Sequence, residues 1–403
     1  MKLFKILTVF LSISIFSQEI RSVQVFNPKT NDETPVIAMG EQLILRFDDL
    51  SNSSQLYRYT LKHYSRNWED DGLFFTEFAN GSLNALIDNF QYSFNTYQKY
   101  THYELAFPNE KIQPKISGNY EIIVYKDSQD KPLFTKRFCI YEDSASLGIN
   151  VSRFIDAKNP DLKQRLEIQA VGNGAGITNN LSSITLNVIQ NNNWNIALRN
   201  LRASSTMGNK LLFQQLNLAF PGNNEFYYFD NKVINQAMDM VAGTENIEGR
   251  NYTYLHPVWA YPGDYQYQPD VNGAFYFRRN DLGIERNANR EADYSWVYFA
   301  LDSQKSDKEF YVLGMFNDYN ADKTSQMQYD EKVQKYIARI YLKQGFYSYI
   351  IATKGSDGKL NYGEVNGNFW QTENLYQAFL YYTPFGRNFD GLIGYGEFRT
   401  PLR

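Results

Sequence analysis

Apolar and polar residues alternate with a period of two along most of this chain. The runs Gln42-Leu43-Ile44-Leu45-Arg46-Phe47, Tyr120-Glu121-Ile122-Ile123-Val124-Tyr125, Ile184-Thr185-Leu186-Asn187-Val188-Ile189 and Ala378-Phe379-Leu380-Tyr381-Tyr382 each predict a strand. Turn signals separate the runs at short intervals: Ser117-Gly118-Asn119, Asp127-Ser128-Gln129-Asp130, Pro221-Gly222-Asn223-Asn224, Asn272-Gly273 and Ser356-Asp357-Gly358. Many short strands between turns predict an all-β fold of tandem β-sandwiches rather than a βαβ sheet. Helical periodicity is scarce. Residues 83–90 and 235–241 predict short helices of about two turns in loops, neither with a long apolar stripe.

A chain of 403 residues exceeds what one core usually serves, so two or three domains are expected. The polar stretch Tyr141-Glu142-Asp143-Ser144-Ala145-Ser146 lies between two strands and predicts the end of an N-terminal β-sandwich over residues 18–145. A compact strand set begins near Tyr294. It predicts a middle β domain over 146–293 and a C-terminal β-sandwich over 294–403.

The first residues set the compartment. Lys2 and Lys5 precede an apolar run over 6–16, and small Ser17 precedes Gln18-Glu19, which is the pattern of a secretory signal peptide over residues 1–17. The run is too short to span a bilayer, which needs about 20 residues. No later window is apolar enough to span one as a helix, so a soluble exported chain is expected. Cys139 is the single cysteine and, on a predicted strand, reads as a small buried hydrophobe. The 40 basic and 44 acidic residues are spread without blocks, and no nucleic-acid stripe is apparent. Aromatic residues reach 16% of the chain, which suits pleated, half-buried surfaces. Trp68, Trp194 and Trp296 lie in or beside predicted strands and are expected to anchor cores.

Candidate chemistry is sparse. His63, His102 and His256 stand far apart, and none belongs to a ligand pair of the kind zinc needs. His63 alternates with strand residues and reads as a half-buried strand histidine. No G-x-S-x-G elbow is present. Asp48-Asp49 and Glu69-Asp70-Asp71 are the clusters to test for paired-carboxylate hydrolysis, although their position at strand ends predicts solvated turn carboxylates. Gly172-Asn173-Gly174-Ala175-Gly176 and Gly355-Ser356-Asp357-Gly358 lack the context of a phosphate cradle and read as turns. Asp318 and Asp322 weakly resemble a calcium loop, without its remaining ligands. No catalytic, cofactor or metal residues are assigned.

Two resemblances follow from motif order. Phe310 to Asp318, Met327-Gln328-Tyr329-Asp330 and Lys343-Gln344-Gly345-Phe346-Tyr347-Ser348-Tyr349 resemble the early-set immunoglobulin-like modules that bind starch or glycogen. Tyr319 stands where such modules carry a sugar-stacking tryptophan. More widely, SVQVFNP, FDDL, YRYTLKHYSRNW, SFNTYQKYTHYELAFPNE, SGNYEIIVY, KRFCIYED, QNNNW, FPGNNEFYYFD, DVNGAFYFRR, ADYSWVYFAL, LKQGFYSYI and TENLYQAFLYYTPFGRNFDGLIGYGE resemble, in order, the type IX secretion system plug protein family. Tyr64 stands where a cysteine is expected in an HCDxxW-like stretch.

The family resemblance implies a non-catalytic periplasmic protein, associated with the inner face of the outer membrane. It would dock on the outer-membrane translocon barrel of the type IX secretion system and seal it while no substrate passes. No cofactor and no nucleic acid is implied, and a monomer is expected outside the complex. The alternative is a carbohydrate-binding envelope protein using the C-terminal module. For the partner contact the sequence offers Leu73, Phe74 and Phe75 after Asp70-Asp71-Gly72. Three consecutive apolar residues break the alternation, as a docking tip or a strand buried on both faces would.

Overall fold

The computed structural model describes residues 20–154, 162–174, 176–260, 263–386 and 388–400; the expected signal peptide over 1–17 lies outside these. The fold is all-β. Its α-helices among the described residues are single turns, Phe75–Phe78 and Ala288–Glu291. The helices expected at 83–90 and 235–241 do not form: Ala85–Ile87 is a strand with Ala85 and Ile87 inward and Leu86 outward, and Met238 and Val241 form an isolated bridge. In these short windows, alternation and pairing outweigh a weak helical pattern.

The first unit packs two sheets around one core. One sheet runs in the order Ile20–Phe26, Leu43–Asp49, Thr101–Phe107, Phe90–Tyr92. The other runs Val36–Ala38, Phe134–Tyr141, Gly118–Tyr125, Tyr57–Tyr64, Ala85–Ile87. Leu43, Leu45 and Phe47 face Tyr59, Leu61, Tyr120 and Ile122 across the interior, as period-two strands require. The turn expected at Ser117-Gly118-Asn119 is instead the start of a strand.

The second unit shows why its limits are hidden in the sequence. Ile184–Gln190 pairs with Asn193–Leu201 on one side and with Leu375–Tyr382 on the other, and Gly391–Arg399 completes that sheet. Leu375–Tyr382 is buried on both faces. Tyr376, Ala378 and Leu380 enter the core of the second unit, while Phe379 and Tyr381 enter a cluster shared with Val36, Trp68 and Cys139 of the first. Gly394 and Gly396 let the last strand lie against Ala145–Arg153, because a Cβ at Gly394 would stand 2.6 Å from the Ala145 carbonyl oxygen.

Between these two halves of the second unit, the chain builds an eleven-stranded sheet that closes on its own core. Phe229, near one end of the strand order, meets Phe299 of Tyr294–Asp302 at 5.6 Å. This corrects the division expected at 293/294. Tyr294–Asp302 pairs in parallel with Arg250–Leu255, so the sheet runs through that boundary, and the last strands return to the second unit.

Candidate interaction surface and inter-unit clasps

Asp48 is the penultimate residue of the strand Leu43–Asp49 and is fully buried, contrary to the solvated turn carboxylate expected there. Lys343, from the third unit, explains how it can be. Its Nζ lies 2.7 Å from Asp48 Oδ2, with side-chain exposures of 0% and 1%. His102 Nδ1 lies 2.6 Å from Asp48 Oδ1, and the Tyr294 hydroxyl donates to Oδ2 at 2.7 Å. Ser22 Oγ reaches the same tyrosine oxygen at 2.6 Å. Lys343 also donates to the Asn289 carbonyl at 3.0 Å and sits 4.3 Å from the Tyr100 ring centre. Burial would raise the Asp48 carboxyl, but the Lys343 ammonium and the His102 hydrogen bond outweigh it and hold it below its ordinary value. Burial also lowers Lys343, which Asp48 offsets only in part. Each charge is tolerable only because the other unit supplies its partner.

A second clasp joins the first unit to the second. Arg66 Nη1 donates to Asp390 Oδ1 at 2.6 Å, and the Arg66 amide donates to Oδ2 at 2.9 Å. Asn187 donates to the Arg66 carbonyl at 2.7 Å, and the Tyr381 hydroxyl donates to Asn119 Oδ1 at 2.7 Å. Trp68 adopts a left-handed backbone and meets Trp194 edge-on at 5.3 Å. Gly118 has a φ of +143° here, and a Cβ would stand 2.9 Å from the Asp390 carbonyl oxygen, so only glycine permits the approach. Trp68 is buried, while Trp194 and Trp296 are half-buried; Trp296 carries the Arg339 guanidinium 4.4 Å from its ring centre.

Among the described residues, His63, Asp71 and Asp318 are each engaged by other groups of the protein. His63 is buried, with Nδ1 2.5 Å from Asp71 Oδ2 and Nε2 3.2 Å from the Ser117 carbonyl oxygen, so both ring nitrogens are occupied by the protein. Of Glu69-Asp70-Asp71, the first two are exposed and only Asp71 turns inward. Asp318 is bound by Lys136 at 2.6 and 2.7 Å, and Asp322 accepts from Thr324 and Ser325. Among the described residues no three His, Cys, Asp or Glu side chains converge as a metal site would require. Cys139 is buried, and burial pushes its thiol up.

One acidic group was not visible in the sequence. Burial pushes Glu225 up to about 7 and Asp270 up to about 7. Tyr265 and the Glu373 amide both donate to Glu225 Oε1, and the Phe226 and Asn272 amides donate to the two oxygens of Asp270. They join residues 223–230 to the loop before the last strands. No local spacing marks them.

The apolar triplet is divided by the fold. Leu73 and Phe75 pack against the first core, and Phe74 stands 77% exposed at the start of a single helical turn. The Glu77 carboxylate accepts the Phe74 amide at 2.8 Å and fixes that turn, so the segment is not a strand. A second tip belongs to the loop between the last two strands, where Phe385 is 97% exposed. The two loops share a seam: Asp390 holds Arg66, and Phe389 lies 6.3 Å from the His63 ring.

Residues 20–142 match the type 9 secretion system plug protein 1st domain, which supports the family that the sequence resembles. No curated protein matches the chain. Nine chains of solved structures match. Among them is the crystal structure of a hypothetical protein from Parabacteroides merdae ATCC 43184, 28% identical, with a TM-score of 0.90, covering 95% of this chain and 98% of that one. Among the described residues no helix is long and apolar enough to cross a membrane.

Proposed function

We propose that this chain is a non-catalytic periplasmic plug that docks on the periplasmic opening of the type IX secretion translocon and seals it while no substrate passes. The observation that carries the reading is the family match over residues 20–142. The clasps add a physical reason. A cover over a wide barrel lumen must resist deformation, and buried ion pairs shared between units make them move together.

Docking is assigned to the seam that presents Phe74 and Phe385, with Leu73 and Phe75 holding the first tip from beneath. Exposed aromatic side chains on fixed loops suit a reversible interface, where a few anchors carry most of the binding energy. The test is co-isolation from solubilised envelopes. The tagged native chain should recover the translocon barrel, and a Phe74→Asp/Phe385→Asp chain with an unchanged melting temperature should not. Equal recovery by both would move the docking face elsewhere, and no recovery by either would overturn the plug reading.

A further inference from the structure

The outer face of the third unit's sheet runs from the Asp48–Lys343 junction out into solvent. Tyr294–Asp302 and Lys335–Lys343 pair antiparallel, with Tyr294 opposite Lys343, Trp296 opposite Tyr341, Tyr298 opposite Arg339 and Ala300 opposite Ile337. These pairs share one face, because alternate residues of a strand point the same way, and Val297, Phe299 and Leu301 between them line the core. The first unit covers the Tyr294/Lys343 pair with Asp48, and the Tyr341 hydroxyl donates to Gln98 Oε1 of that unit at 3.1 Å. Further out, Trp296, Tyr298, Ala300 and Ile337 are half-buried and Arg339 is exposed.

That outer part is not built from the residues that usually face water. From Trp296 to Ala300 and from Ile337 to Tyr341 the outward positions carry three aromatic side chains, two aliphatic ones and a single charge, Arg339. Arg250–Leu255 runs parallel beside them and adds Tyr252 opposite Trp296 and Tyr254 opposite Tyr298. The rings hold one another. Trp296 lies 4.8 Å from Tyr341, Tyr254 lies 5.0 Å from Tyr298, and the Tyr254 hydroxyl donates to Glu245 Oε2 at 3.0 Å. Two guanidinium groups flank this layer: Arg339 lies over Trp296 at 4.4 Å, and exposed Arg250 stands two residues before Tyr252 on the same face. Neither makes a side-chain hydrogen bond or an ion pair among the described residues.

We propose that this face docks an acidic protein surface, whose carboxylates meet Arg250 and Arg339 across the aromatic layer. Tyrosine, tryptophan and arginine are the side chains that carry binding energy at protein interfaces, and rings already fixed by their neighbours lose little freedom on binding. The junction shows the chemistry on the same face. There an acid, Asp48, enters against a tyrosine hydroxyl and a cation. The outer end repeats the aromatic and the cation, Tyr298 beside Arg339, without the acid. By strand spacing the two arginine positions stand about 13 Å apart along the strands and about 10 Å across them, which sets the separation of the carboxylates they take. A saccharide fits less well, because Arg339 already lies over Trp296 and the Tyr254 and Tyr298 rings lean on each other at 33°. The elements are not those that carry Phe74 and Phe385, so this surface is additional to the docking seam.

Photo-cross-linking tests this with p-benzoylphenylalanine in place of Gln328, an exposed residue opposite Ile337 at the rim of the face. The full chain is photolysed in its native envelope and the adduct is sequenced. The expected product is a protein adduct through a segment that carries a pair of Asp or Glu side chains. Its yield should fall at least about tenfold in Arg339→Glu and in Arg250→Glu, the loss of a charge-assisted pair, and lysine in place of the partner's acids should restore it in Arg339→Glu. Phe74→Asp/Phe385→Asp should leave the yield unchanged. Melting temperatures show that each variant is folded. No adduct, an adduct to glycan or lipid alone, an adduct through a segment without acids, or an unchanged yield in folded Arg339→Glu would overturn the assignment. Loss of the adduct in Phe74→Asp/Phe385→Asp would merge this face with the seam and overturn it as a second surface.

Discussion

The Tyr294 hydroxyl donates to Asp48 Oδ2 at 2.7 Å across 246 residues of sequence, and Lys343 reaches the same oxygen. That junction ties the first unit to the third through groups that water does not reach. Removing one partner should therefore cost more than a surface pair would.

Lys343→Met is expected to destabilise the protein by about 3–5 kcal/mol, because it leaves Asp48 charged and buried. Asp48→Asn combined with Lys343→Met should recover a large part of that loss. Chemical denaturation of the two single variants and the double variant closes the cycle. A Lys343→Met chain with native stability would show that the junction is not stabilised by this pair.

Trp68→Ala should cost about 3–5 kcal/mol, since the side chain is buried between the first and second units and leaves a void against Trp194. Near-neutral stability with lost translocon recovery would instead place Trp68 in the docking face.

Glu33→Gln should alter how stability depends on pH. The folded carboxyl titrates near 8, above its ordinary value of 4.5, so the native state holds that proton more tightly than the unfolded chain. The group's contribution is fully present below about pH 4.5 and is lost as pH rises toward 8. Glutamine mimics the protonated form. The variant should match the native melting temperature near pH 5 and exceed it at pH 8; a constant difference across that range would show that Glu33 does not titrate there.

The strands were legible because period-two alternation is local: Leu43–Asp49, Gly118–Tyr125, Ile184–Gln190 and Leu375–Tyr382 all fall on runs that alternate in the sequence. Their partners were not. Leu375–Tyr382 pairs with a strand nearly two hundred residues earlier, and nothing in either run names the other. Tyr294 was expected to open a separate domain, yet it begins a strand inside one sheet and bonds to Asp48. Asp48 itself read as a solvated turn acid because its neutralising lysine lies 295 residues away. The triplet Leu73-Phe74-Phe75 was visible as a break in pattern, but only the fold separates the exposed ring from the two that hold it.

Outer-membrane permeability in a strain lacking this protein tests the central claim most directly. If the chain seals a translocon pore, its loss should admit a solute too large for ordinary porins, and restoring the native chain should exclude it again. The Phe74→Asp/Phe385→Asp chain should fail to restore the barrier. Normal exclusion of that solute in the deletion strain, with the translocon still present, would contradict the plug reading.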